Sequence, residues 1–169
     1  MKTVFLLRHA KSSRTDDNLA DFDRPLNKRG LETMPFVGEK IFDNRFQIDL
    51  ILSSPAKRAK QTAILIKETA QIAADIRYDE RIYEASPHRL LEVIAAIEDD
   101  KNSIMLVGHN PGLEGLIRVL TGETRSMETA ALAVIDLQTE KWSETKAGCG
   151  FVQIIISPKN EMEAPEESW

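Results

Sequence analysis

Short apolar runs that end in a polar turn and give way to a helical pattern set the narrowest limits on this chain. Thr3-Val4-Phe5-Leu6-Leu7 is rich in strand formers, and similar runs stand at Leu50-Ile51-Leu52 and Ile104-Met105-Leu106-Val107. Runs without polar alternation read as strands buried on both faces, as in a parallel sheet. Helical periodicity follows at Leu26 to Phe42, Ala56 to Ile72 and Leu113 to Leu120, with a further helix near Pro87 to Ile97. Strands alternating with helices predict an α/β fold, a three-layer α/β/α sandwich on a mostly parallel sheet. Ala131 to Leu137 and Gly150 to Ile156 read as two more strands, an antiparallel pair at one edge. Pro35 falls inside the first helical pattern, where it lacks an amide donor and disfavours helical geometry at Met34, so a kink or break is expected there.

A chain of 169 residues that is 42% hydrophobic suits one domain, here expected over 1–157, followed by an acidic, proline-containing tail over 158–169. The net charge of −5 argues against general attraction to nucleic acid or to anionic membranes, so any anion site must be local. The single cysteine, Cys149, excludes an internal disulfide and a cysteine-based zinc cluster, and packing is the expected role for it. No apolar run reaches membrane-spanning length and the start is too short for a signal peptide, which leaves the cytoplasm as the expected location.

In open α/β sheets ligands bind beyond the carboxyl ends of the strands. After the first run come Arg8 and His9, and after the second comes Ser53-Ser54-Pro55-Ala56-Lys57-Arg58. Ser54 and Pro55 read as an N-cap and a first helical residue, which puts Arg58 in the first turn. Lys57, Arg58 and Lys60 oppose the helix dipole, with no acid before Glu68, an arrangement that an anion would relieve. After the third run comes Gly108-His109-Asn110-Pro111-Gly112, with Asn110 as a second candidate cap. Singly, the arginines read as surface ion-pair partners and His109 as a loop histidine. Two histidines and two arginines at three strand ends point instead to a phosphoryl site.

These residues resemble the histidine phosphatase, or phosphoglycerate mutase-like, superfamily, whose signature is an Arg-His-Gly triplet after the first strand. Leu7-Arg8-His9-Ala10-Lys11-Ser12 stands at that position. It is similar to the small SixA-type phosphohistidine phosphatase branch, as are Asp23-Arg24-Pro25-Leu26-Asn27-Lys28-Arg29-Gly30, Leu52 to Thr62 and Val107-Gly108-His109-Asn110-Pro111. Ala10 departs from the usual glycine, and Thr15 stands where many members carry asparagine. The resemblance implies a nucleophilic His9, clamping arginines Arg8 and Arg58, and a second histidine, His109, whose protonated ring would help hold the phosphoryl oxygens. Glu84 falls where the superfamily often has its acid, with the alternative of a solvated carboxylate capping the helix near Pro87. Arg24 and Arg29 are expected to support the loop after the first strand, with Asn27 as the N-cap and Gly30 in the first turn of the helix that follows.

The chemistry follows from the residue types. Imidazole attacks phosphorus only when neutral, nearby arginines disfavour imidazolium, and guanidinium binds two oxygens at once. The expected activity is a phosphatase that needs no metal or cofactor and passes through phosphohistidine on His9. Its partner would be a phosphorylated protein, foremost protein phosphohistidine, or else a small phosphate ester. A non-catalytic phosphoprotein-binding module is the rival from another class.

Overall fold

The computed structural model describes residues 1–15, 17–158 and 161. Strand β1 (Lys2–Arg8) lies inside a six-stranded sheet and is buried from both sides. Val4 and Leu6 enter one apolar cluster while Phe5 and Leu7 enter the other, the alternation that a period of two imposes. Helices α1 (Lys28–Asp43) and α2 (Lys57–Thr69) cover the Phe5 face; α3 (Pro87–Ala95) and α4 (Gly112–Thr121) cover the Val4 face. The expected α/β/α layering is therefore present. The remaining strands are β2 (Leu50–Ser53), β3 (Ile76–Tyr78), β4 (Ser103–Gly108), β5 (Leu132–Leu137) and β6 (Gly150–Ile156).

The strand order is β3-β2-β4-β1-β5-β6. β1, β2, β3 and β4 run parallel, and β5 and β6 form the antiparallel edge expected from the sequence. β3 is a strand that the apolar pattern did not reveal: it is three residues long, lies at the edge and is only partly covered. A strand exposed on that scale need not carry a continuous apolar run.

Adjacent strands β1 and β4 send their chains to opposite faces, towards α1 and α4 respectively, and this divergence opens a crevice at their carboxyl ends. β2 borders β4, so residues after all three strands converge there.

Local chemistry sharpens some helix boundaries and moves others. Asn27 caps α1 as expected, its Oδ1 accepting the Gly30 amide at 2.8 Å. Of the kink or break expected at Pro35, the break does not occur: the helix runs through it to Asp43. Pro35 and Leu31 are both exposed, so the Leu31 carbonyl that lacks a helical donor lies on the side open to water. Helix α2 begins at Lys57 rather than at Pro55, with no side-chain cap, and α4 begins at Gly112 after Pro111 rather than at Asn110. Asn110 Oδ1 nevertheless accepts the Glu114 amide in the first turn of α4 at 3.3 Å, and both Ser54 and Asn110 also engage residues around the crevice. The tail expected over 158–169 falls outside the described residues except at Pro158 and Glu161.

Gly30 places α1 against the loop that follows β1. A Cβ there would collide with the carbonyl oxygen of Lys11, which already accepts the Asn27 amide at 3.0 Å. Gly30→Ala is expected to cost about 1–3 kcal/mol, as overpacking against backbone does. Urea unfolding checks this; a change within a few tenths of a kcal/mol would show that the loop yields freely.

Candidate active site

His9 leaves β1 buried, 7% exposed. Its Nδ1 lies 2.7 Å from the Ala10 carbonyl oxygen. A carbonyl only accepts, so Nδ1 carries the proton and Nε2 keeps its lone pair. Burial pushes the His9 pKa down to about 3, with His109, Arg58 and Arg8 lowering it further and the Ala10 bond working against them. The arginines therefore contribute as expected, but desolvation is the larger cause.

Ala10 makes the turn without the left-handed backbone that would call for glycine. Its amide donates to Thr62 Oγ1 at 3.0 Å, and that hydroxyl donates to the Arg58 carbonyl at 2.7 Å, tying the loop after β1 to α2.

His109 arrives from the end of β4, its ring centroid 5.1 Å from that of His9. Ser54 Oγ accepts the Ala56 amide at 3.2 Å and lies 2.8 Å from His109 Nε2. The hydroxyl has one proton and two lone pairs, so either atom can be the donor in that contact. His109 Nδ1 is buried and has no partner among the described residues. Burial, then Arg58, pushes the His109 pKa down to about 4. At that value the ring is neutral, and a neutral imidazole still carries one N–H to offer an oxygen.

Arg58 is 6% exposed and donates to the Asp21 carbonyl at 2.7 Å and to Asp21 Oδ2 at 3.1 Å. Asp21 also accepts the Tyr83 hydroxyl at 2.6 Å and Arg24 at 2.9 and 3.1 Å. These bonds, Tyr83 first, hold its carboxyl well below the usual carboxylate range. The anion that the start of α2 called for is in part the chain's own. Arg8 donates to the Met127 carbonyl at 3.0 Å, which also accepts Asn110 Nδ2 at 2.8 Å. The Nε atoms of both Arg8 and Arg58 are buried without a partner among the described residues.

His9, Arg8, Arg58 and His109 therefore come together. Glu84 does not join them: it is exposed, has φ 52°, and no hydrogen bond or ion pair links it to those four among the described residues. It lines a surface groove of about 510 Å³ with Arg81, Tyr83 and Arg89. The alternative role as a helix cap is not its own either, because Ser86 Oγ caps α3 through the Arg89 amide. Arg24 supports the loop after β1 as expected, donating to Ser12 Oγ at 2.7 Å and to the Ser13 carbonyl at 3.1 Å. Cys149 is buried, as a packing role requires.

Sequence reasoning missed Asp21, Tyr83 and Thr62. Ser54 was in view at a strand end, the same signal that singled out His9, but was assigned to a cap. Asp21 lies far from any strand end in sequence, and Tyr83 follows β3, the short edge strand that the apolar pattern does not reveal. Among the described residues no group of three or more His, Cys, Asp or Glu side chains is placed to hold a metal ion.

Residues 4–89 match the family model of the histidine phosphatase superfamily (branch 1). An uncharacterized protein of Mycobacterium tuberculosis is 32% identical over 154 residues, covering 85% of this chain and 94% of its own. This chain belongs to the histidine phosphatase superfamily. Membership makes it a hydrolase with a phosphoglycerate mutase-like fold. The structure of an Agrobacterium tumefaciens protein assigned as the phosphohistidine phosphatase SixA shares 32% identity and superposes with a TM-score of 0.80, covering 93% of this chain and 98% of that one. The protein histidine phosphatase SixA in complex with tungstate shares the fold at a TM-score of 0.81 and 23% identity, covering 94% and 99%. No helix of this superfamily member is long and apolar enough to cross a membrane among the described residues.

The depressed histidines also bear on stability. The ordinary imidazole value is 6.5, so as pH falls below it the unfolded chain takes up protons that buried His9 and His109 refuse until about pH 3 and 4. Stability contributed by these rings is present above pH 6.5 and is lost as pH falls towards those values. Melting temperature against pH is expected to drop more gently in His9→Ala than in the parent between pH 6.5 and 4; parallel curves would contradict the burial of a neutral His9.

Proposed function

We propose that this chain removes the phosphoryl group from phosphohistidine on a protein, through a phosphohistidine intermediate on His9, within one domain over 1–157. One observation carries the reading: the Arg8 and Arg58 Nε donors and His109 Nδ1 are buried polar atoms with no partner among the described residues, gathered beside a neutral imidazole. Leaving a buried donor unpaired is costly, and such donors persist where a ligand oxygen completes them.

In the proposed cycle, His9 Nε2 attacks phosphorus in line, the bond from phosphorus to the leaving nitrogen breaks, and its electron pair stays with the departing imidazole. Arg8, Arg58 and His109 meet the charge on the equatorial oxygens. Water then attacks the phosphorus on His9, the P–Nε2 bond breaks, and inorganic phosphate leaves. Imidazole protonated at its distal nitrogen departs as a neutral ring, so this substrate does not require a carboxylic acid in Glu84's sequence position. An alcohol would. That contrast, together with the likeness to a protein assigned as SixA, favours phosphohistidine over small phosphate esters.

The test is hydrolysis, with a chelator present, of a phosphohistidine-bearing protein and of a small alkyl phosphate. Faster turnover of the phosphoprotein is expected. Turnover of the ester alone would transfer the reading to small substrates, and binding of phosphoprotein without turnover would favour the non-catalytic module.

A further inference from the structure

Four rings stand in series from His9 to the surface. His9 and His109 are 5.1 Å apart between centroids, His109 and Tyr83 5.6 Å, and Tyr83 and Phe22 5.2 Å. The last two contacts are edge-to-face, at 75° and 85°. Tyr83 is half-buried and Phe22 is 38% exposed, so this pair presents ring surface at the mouth of the crevice and not in the core.

The rim is also held in register with the phosphoryl site. Phe22 lies in a 3-10 turn, Asp21–Asp23, whose Asp21 takes both Arg58 and the Tyr83 hydroxyl. One carboxylate thereby fixes the clamping arginine, the tyrosine and the backbone beside Phe22. In an in-line transfer the departing atom lies across phosphorus from His9 Nε2. With His9 buried, the departing group lies on the side of the mouth.

We propose that Phe22 and Tyr83 form a leaving-group subsite that accepts a flat aromatic or heteroaromatic ring bonded to phosphorus through nitrogen or oxygen. This rests on the phosphohydrolase reading of His9, but not on the choice of phosphohistidine. A ring gains offset or edge-to-face contact with the pair, whereas a saturated alcohol or a bare amine does not.

The experiment compares kcat/KM for phosphoimidazole with phosphoramidate, and for phenyl phosphate with glycerol phosphate, so that each ring-bearing substrate has a ring-free partner with the same bond to phosphorus. Phe22→Leu keeps apolar bulk without a ring, and it is expected to lower the ring-bearing substrate about tenfold more than its partner. Phe22→Trp is expected to restore the difference. Tyr83→Phe, which keeps the ring and gives up the bond to Asp21, is expected to retain the preference even if overall rates fall. Equal losses within each pair, or none, would overturn the subsite. A parent active only on the oxygen-linked pair would count against phosphohistidine while the phenyl and glycerol comparison still judges the subsite. A parent inactive on all four would overturn the hydrolytic reading and the subsite with it.

Discussion

His9→Ala is expected to abolish turnover, with a loss on the order of 10⁶ where the reaction depends on a covalent intermediate. The expectation rests on a single lone pair. The Ala10 carbonyl occupies His9 Nδ1, and burial keeps the ring neutral down to a pKa of about 3, so Nε2 keeps its lone pair at neutral pH, as the proposed attack requires. Rapid-quench labelling checks this directly. The parent should retain a phosphoryl group that is released by acid and withstands base, as a P–N bond does, and the variant should retain none. A variant that turned over within tenfold of the parent would remove His9 from the chemistry and leave the arginines as a binding site.

Arg58→Ala carries the second large effect, about 3–4 kcal/mol of transition-state stabilisation or roughly 10²–10³ in kcat/KM, by analogy with deleting one preorganised donor. Arg58→Lys is not expected to rescue it, since an ammonium lacks the planar fork that reaches two oxygens. Asp21→Ala should cost less, because Arg58 keeps its charge and Thr62 still holds its backbone. Steady-state kinetics on all three variants, with melting temperatures to verify folding, separate these cases. Near-normal turnover in Arg58→Ala would sink the clamp, and an Asp21→Ala loss as large as that of Arg58→Ala would move the decisive contact to the carboxylate.

Membership of the superfamily limits the reaction class more than it limits the substrate. In the proposed cycle the four gathered residues act on the phosphoryl group, which every phosphate ester or phosphoramidate shares. On that proposal selectivity comes from what surrounds the leaving group, the place assigned above to Phe22 and Tyr83.

The sequence by itself determined the buried strands, because a strand covered on both faces must be apolar throughout: β1, β2 and β4 stand where the runs at Thr3, Leu50 and Ile104 placed them. It also determined which polar residues stand at their carboxyl ends, and so brought out His9, Arg8, Arg58 and His109. Only the tertiary structure decided what surrounds them. Asp21 reaches Arg58 across 37 positions and Tyr83 reaches Asp21 across 62, distances over which no local periodicity operates. The same holds for Ser54, whose sequence context resembles a helix cap until His109 arrives from another strand. That α1 continues through Pro35 was left to the fold for a related reason, since whether a missing amide breaks a helix depends on whether that turn faces water or the core. Protonation was the last matter left to the fold. The neutrality of His109 follows from burial, which is a property of the packed neighbours and not of the residue.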